Sequence, residues 1–265
     1  MQSTSVLDFS QNMLDAECVK EMEKHNKYDP AHATEHFDSI AEHYEGVYLR
    51  AGYPDPKKVQ EYVSNIASKQ VIPKHLAQIL DFGCGTGLVG QYCKEAGFQN
   101  IAGIDISPKM LEKAQDKGCY SQLVNLQLNQ EEHVDSVPFD QRGKYDFVTA
   151  AGLINNNFLD LRIFEQMLIC LKPGGYLVFS ARFSYLGHYW YTDALAELEK
   201  AGRIKFIQDE SFFKYDQLTV SVGKFTKTPC RVYVYQKTEN DSVFACKNKQ
   251  KLSSMSAATA DSDNL

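Results

Sequence analysis

Two aspartates and a cluster of glycines offer the clearest chemistry in this chain. Asp81 stands two residues ahead of Gly83-Cys84-Gly85-Thr86-Gly87, and Asp105 closes the next apolar run, Asn100–Asp105. Glycines so placed let the backbone turn tightly and approach a ligand, and the helix that follows presents unpaired N–H groups. A carboxylate just ahead of such a loop can meet a ligand's ammonium, directly or through water. A carboxylate ending the neighbouring strand can accept hydrogen bonds from two ribose hydroxyls. A tight strand–helix turn would explain the glycines alone, and a cap for the helix at Ser107 would explain Asp105 alone. Together the two features point to an adenosine-bearing cofactor.

Two such cofactors compete. Gly85-Thr-Gly87-Leu-Val-Gly90 fits the dinucleotide pattern G-x-G-x-x-G, which would make the protein an NAD-dependent oxidoreductase. Gly83-Cys-Gly85-Thr-Gly87 led by Asp81 fits a loop for S-adenosylmethionine, which carries no phosphate and needs other partners for its amino acid part. Asp105 serves either. Asp81 and the tighter glycine spacing favour S-adenosylmethionine.

The elements that must position these residues follow from periodicity. Ala33–Tyr48 carries Phe37, Ile40, Ala41, Tyr44 and Val47 on one helical face, and Gly52-Tyr-Pro-Asp-Pro56 ends it. Lys57–Ala67 reads as a second helix. Strands at Ala77–Phe82, Asn100–Asp105, Gln122–Leu128, Tyr145–Ala150 and Tyr176–Ala181 then alternate with helices at Gly87–Ala96, Ser107–Lys117, Leu159–Leu171 and Tyr191–Ala201. Ser107 is the expected N-cap, with Pro108 in the first turn and Gly118 as the stop. Such alternation predicts an α/β fold, a parallel sheet covered on both faces. Ile204–Phe213 and Pro229–Gln236 read as two further strands that pair antiparallel, with the excursion Lys214–Lys227 between them. The expected organisation is a polar, acidic lead-in at 1–32, helical around Ala16–Lys27, one domain at 33–237 with cap helices at 33–70, and a disordered tail at 238–265.

Composition narrows the function. The chain has 265 residues, 43% apolar and 23% charged, enough for one large domain with its own core. Its formal net charge of −6 argues against a nucleic-acid backbone or an anionic membrane as the main partner. Seven cysteines, an odd number with no C-x-x-C pair, suit a reducing compartment, and a cytoplasmic location is expected.

Ile79-Leu-Asp-Phe-Gly-Cys-Gly-Thr-Gly87, Gly103-Ile-Asp-Ile-Ser107 with Met110-Leu111, and Leu171-Lys-Pro-Gly-Gly175 resemble the class I S-adenosylmethionine-dependent methyltransferases. The longer run from Gly85 through Ala96-Gly-Phe98 to Lys117-Gly118 and Tyr120 is similar to the methyltransferase-like proteins of the Williams–Beuren-region type. Phe37-Asp-Ser-Ile-Ala-Glu-His-Tyr-Glu45 resembles a signature found ahead of many such domains. The resemblance spans roughly residues 37–235. It implies a Rossmann-like, seven-stranded, mostly parallel sheet with an antiparallel edge strand, and S-adenosyl-L-methionine as cofactor. It implies that Asp81, Gly83, Gly85, Thr86 and Gly87 hold the methionine part, that Asp105 holds the ribose, and that Ile106 and Met110 flank the adenine. Gln127 takes a position that is commonly Asp in the family, and its amide oxygen can still accept from the adenine amino group. Tyr44 matches a family tyrosine near the cofactor.

Methyl transfer from a sulfonium is an in-line displacement, so the protein must align the nucleophile and exclude water. A general base is needed only if the nucleophile keeps its proton at the transition state, and no catalytic residue is assigned here. Candidate substrate contacts are Asn155 and Asn156, whose amides suit a polar neutral group, and Arg182; Tyr185, His188 and Tyr191 could line the same opening. The family often carries Gly-His where this chain has Asn157-Phe158, which removes a titratable group and motivates an alternative reading, a catalytically silent cofactor-binding subunit or scaffold. His32-Ala-Thr-Glu-His36 matches a zinc-protease spacing, but it falls on the cap helix without a third ligand, and no metal is expected. The leading expectation is a methyltransferase acting on a small molecule, with a protein substrate or complex partner as the other option and no nucleic acid or membrane partner.

Overall fold

The computed structural model describes residues 16–27, 29–127, 137–154, 162–183, 190–218 and 221–239. Seven strands form one sheet: β1 (Gln78–Phe82), β2 (Asn100–Asp105), β3 (Gln122–Asn125), β4 (Tyr145–Ile154), β5 (Leu171–Arg182), β6 (Ile204–Lys214) and β7 (Thr228–Lys237). Their order is β3-β2-β1-β4-β5-β7-β6. The first five pair in parallel, and β7 lies antiparallel between β5 and the edge strand β6. The late pair therefore supplies the antiparallel part of the sheet at its margin.

Eight helices flank the sheet among the described residues: α1 (Ala16–Asn26), α2 (Ala33–Ile40), α3 (Tyr44–Ala51), α4 (Asp55–Lys69), α5 (Leu88–Glu95), α6 (Pro108–Asp116), α7 (Arg162–Cys170) and α8 (Trp190–Lys200). Successive residues of β1 face opposite cores. Ile79 packs with Val59 and Val63 of α4 and with Val89 and Cys93 of α5, whereas Leu80 packs with the side of α7 and α8, including Phe164, Leu168 and Leu195. Burial on both faces is why these strands read as unbroken apolar runs.

Two expectations change. The single helix expected over Ala33–Tyr48 is broken by a turn at Ala41–His43, where the His43 N–H donates to the Ile40 carbonyl at 3.2 Å. The break lets one apolar stripe serve two partners. Ile40 and Ala41 close on Met110, while Val47 and Tyr48 turn into an aromatic cluster with Tyr53, Tyr215 and Phe225. The second change is β4, which continues past Ala150 to Ile154 with a shift in register against β5. The Tyr53 hydroxyl there donates to the Ala151 carbonyl at 3.1 Å. Smaller differences at element ends are β3, which stops at Asn125, and α4, which begins at Asp55.

Candidate functional site

In a parallel sheet the carboxyl ends of the strands share one edge, and ligands bind there. Asp81 and Asp105 lie at that edge on the adjacent strands β1 and β2. Asp81 is buried, with one carboxylate oxygen taking the Thr149 hydroxyl at 2.8 Å and the other the Tyr120 hydroxyl at 2.9 Å. Burial without a countercharge pushes its carboxyl up to about 7, against the pull of those two hydrogen bonds. Asp105 accepts the Gly85 N–H at 2.8 Å and the Ser107 N–H at 2.9 Å, and burial raises it to about 6. Each of its oxygens carries a second lone pair, so two more donors can be accepted.

The glycines divide by task. A Cβ on Gly85 would meet nothing within 4 Å, and its φ of +54° suits a residue without one. Gly90 and Gly103, in contrast, leave room for the Tyr120 ring, and Gly87 lets α6 approach at Ala114. A Cβ on Gly83 would strike Leu153 at 2.7 Å. Open space over Gly85 beside two buried carboxylates is the kind of cradle a cationic, ribose-bearing ligand fills. The dinucleotide alternative fares worse. The Gly90 N–H in the first turn of α5 is already spent on the Tyr120 hydroxyl at 3.1 Å, and Leu88 is buried in the aromatic cluster. A pyrophosphate needs those first-turn donors free.

The other expected residues fall around this cradle. Thr86 is buried and Ile106 half-buried, and Met110 is buried beneath Ile40 with Phe37 packed alongside. Gln127 is exposed just past β3. Tyr44 opens α3, its ring stacked on Tyr48 at 4.2 Å and its hydroxyl bonded to that of Tyr53. Burial first, then the charges of Tyr48, Asp105 and Asp55, holds its phenol well above the ordinary range. Arg182 ends β5 in register with Cys230 of β7. Asn155, Asn156, Asn157, Phe158, Tyr185 and His188 lie outside the described residues. Tyr191 is a core residue whose hydroxyl donates to the Arg182 carbonyl.

Several participants escaped the sequence reading. Tyr120 and Thr149 hold Asp81, and Asp38 accepts the Ser107 hydroxyl at 2.5 Å and the Lys109 N–H at 3.1 Å, which pins α2 over the start of α6. Ser107 also accepts the Met110 N–H at 3.1 Å, as expected of an N-cap. Asp38 sits inside the entry signature, so its position was visible and its partner was not. His32 pairs with Asp29 at 2.8 Å on the surface, and among the described residues no group of three or more metal-ligating side chains comes together.

Comparison with known proteins agrees with this geometry. Residues 79–175 match the methyltransferase domain family. Human methyltransferase-like protein 27 is 34% identical over 134 residues, which cover 49% of this chain and 52% of that protein. The ubiquinone biosynthesis O-methyltransferase of Acinetobacter baylyi is 27% identical over 122 residues, covering 46% and 47%. The chain thus spans about half the length of the curated relatives it matches. Among solved structures, magnesium protoporphyrin IX methyltransferase from Synechocystis with bound S-adenosylmethionine superposes with a TM-score of 0.54 at 15% identity, over 86% of this chain and 100% of that one. An S-adenosylmethionine-dependent methyltransferase from Clostridium acetobutylicum gives 0.52 at 17% identity, over 76% and 99%. At such identities the superpositions speak for the fold, and residues 79–175 are similar to the methyltransferase domain family.

Proposed function

We propose that the protein binds S-adenosyl-L-methionine at the carboxyl ends of β1 and β2 and transfers its methyl group to a small molecule. The observation that carries this reading is the pair of buried carboxylates, Asp81 and Asp105, set around the open face of Gly85. When bound, the cofactor supplies an electrophilic methyl group on a sulfonium. Asp105 accepts the ribose hydroxyls, and Asp81 faces the ammonium, whose charge offsets the cost of its burial. Ile106 and Met110 flank the adenine, Gln127 accepts from its amino group, and α2 covers that side through Ile40 and Phe37. Tyr44 lies where the acceptor would meet the methyl group.

The acceptor enters over β4 and β5, where Arg182 and the segment at Asn155 and Asn156 are expected to contact it. The net charge of −6 supports a small molecule over a nucleic acid. No helix among the described residues is long and apolar enough to cross a membrane. Free, buried Cys84, Cys93, Cys119, Cys170 and Cys230 support a reducing, cytoplasmic setting.

Calorimetric titration with S-adenosylmethionine, S-adenosylhomocysteine and NAD in parallel tests the reading. Binding of the two sulfur compounds and not of NAD is expected. NAD binding alone would overturn it, and cofactor binding without methyl release over a broad acceptor panel would favour a silent subunit.

A further inference from the structure

Three cations gather at the carboxyl edge of the sheet. Arg182 is the last residue of β5. Because β7 reverses direction, β6 runs with β5 and ends at the same edge, at Lys214. Lys224 lies in the connection that follows. Lys214 is only 5% exposed, with its ammonium 5.8 Å from the Tyr53 ring centroid and 5.4 Å from that of Tyr215. The Lys224 ammonium lies 5.8 Å from the Tyr48 ring centroid and 5.5 Å from that of Phe225. Lys224 is close enough to the other two to be repelled by both. Burial, then the charges of Arg182 and Lys214, lowers the Lys224 ammonium to about 8.

Their countercharge is incomplete. Among the described residues Asp55 answers them: its Oδ1 lies 3.7 Å from the Lys214 ammonium and also accepts the Ser180 hydroxyl at 2.7 Å. Among the described residues, no carboxylate forms an ion pair with Arg182 or Lys224. Aromatic faces attract Lys214 and Lys224 and do nothing to reduce the repulsion between the cations. Clustered, desolvated like charges are costly unless an anion joins them.

We propose that the methyl acceptor carries an anionic group, a carboxylate or a phosphate, which Arg182, Lys214 and Lys224 hold against the wall formed by Tyr48, Tyr53 and Tyr215. This rests on the methyltransferase reading above. The anion completes the charge balance, and the Tyr44 ring stacks on Tyr48 of that wall at 4.2 Å.

The test uses the full chain saturated with S-adenosylhomocysteine, titrated at low salt with benzoate, phenyl phosphate and the neutral benzamide. At least one anion is expected to bind about tenfold or more tighter than benzamide, as a charge-assisted contact implies, and the stronger of the two identifies the group. Lys224→Gln and Arg182→Gln should each remove most of that preference while S-adenosylhomocysteine still binds, and Lys224→Arg should restore it. Equal affinity for all three probes, no binding of either anion, or a preference unmoved by Lys224→Gln and Arg182→Gln overturns the proposal. Failure of S-adenosylhomocysteine to bind the unsubstituted chain would instead remove the methyltransferase reading beneath it.

Discussion

At the scale of single residues, Gly85 and Gly90 look alike in sequence and differ in task. Gly85→Ala places a methyl group in the open cradle at a positive φ, so cofactor affinity should fall while the sheet still folds. Gly90→Ala drives a methyl group into the Tyr120 ring, whose hydroxyl binds Asp81, so the loss should appear as instability. Overpacking of this kind costs about 1–3 kcal/mol, readable in denaturant unfolding. Asp81 carries a second prediction. Its carboxyl sits near 7 in the free protein, and a cationic ligand binds the ionised form. Affinity for S-adenosylhomocysteine should therefore rise with pH up to about 7 and level off above it. Asp105, near 6, contributes in the same sense through its ribose contacts. Asp81→Asn should flatten the upper part of that profile in calorimetry. Both aspartates were legible from their places at strand ends. Tyr120 and Thr149 were not, because hydrogen bonds across 39 and 68 residues leave no local pattern.

At the scale of elements, α1 shows how a helix can be read in part and its purpose missed. Its extent, Ala16–Asn26, follows the expected segment closely. Its purpose lies in two adjacent residues. The Asn26 side chain donates to the Val222 carbonyl at 3.2 Å and accepts the Lys224 N–H at 2.8 Å, clamping the β6–β7 connection. His25 is buried against Tyr44, Tyr48 and Phe225, and burial lowers it to about 3, assisted by the charges of Lys224 and His36 and opposed by that of Glu21. The folded state thus keeps His25 neutral where the unfolded chain, near 6.5, takes a proton. Its packing is fully stabilising above about 6.5, and the contribution is lost as pH falls toward 3. A melting series from pH 7.5 to 4.5 should show this loss, and His25→Phe should remove that share of the pH dependence.

At the scale of the whole molecule, the site joins segments far apart in sequence. The cap formed by α1, α2 and α3 meets the β6–β7 connection, where the Tyr215 N–H donates to the Gly52 carbonyl at 2.5 Å. Deleting residues 1–27 would uncover Tyr48 and Phe225 and unclamp Lys224. The truncated protein should melt at lower temperature and bind more of a hydrophobic dye. Unchanged melting would mean that α1 adds nothing to the cap.

The sequence by itself determined the alternation of strands and helices, the glycine loop, the two aspartates and the cap at Ser107. Each is set by local periodicity, by backbone freedom or by a hydrogen bond between residues a few positions apart. Tertiary structure alone decided the break between α2 and α3, the hydroxyl pair that holds Asp81, and the meeting of Arg182, Lys214 and Lys224. Those depend on which strand ends share an edge and on how much water is excluded there. Strand order and burial are properties of the packed sheet, and no short window of residues encodes them.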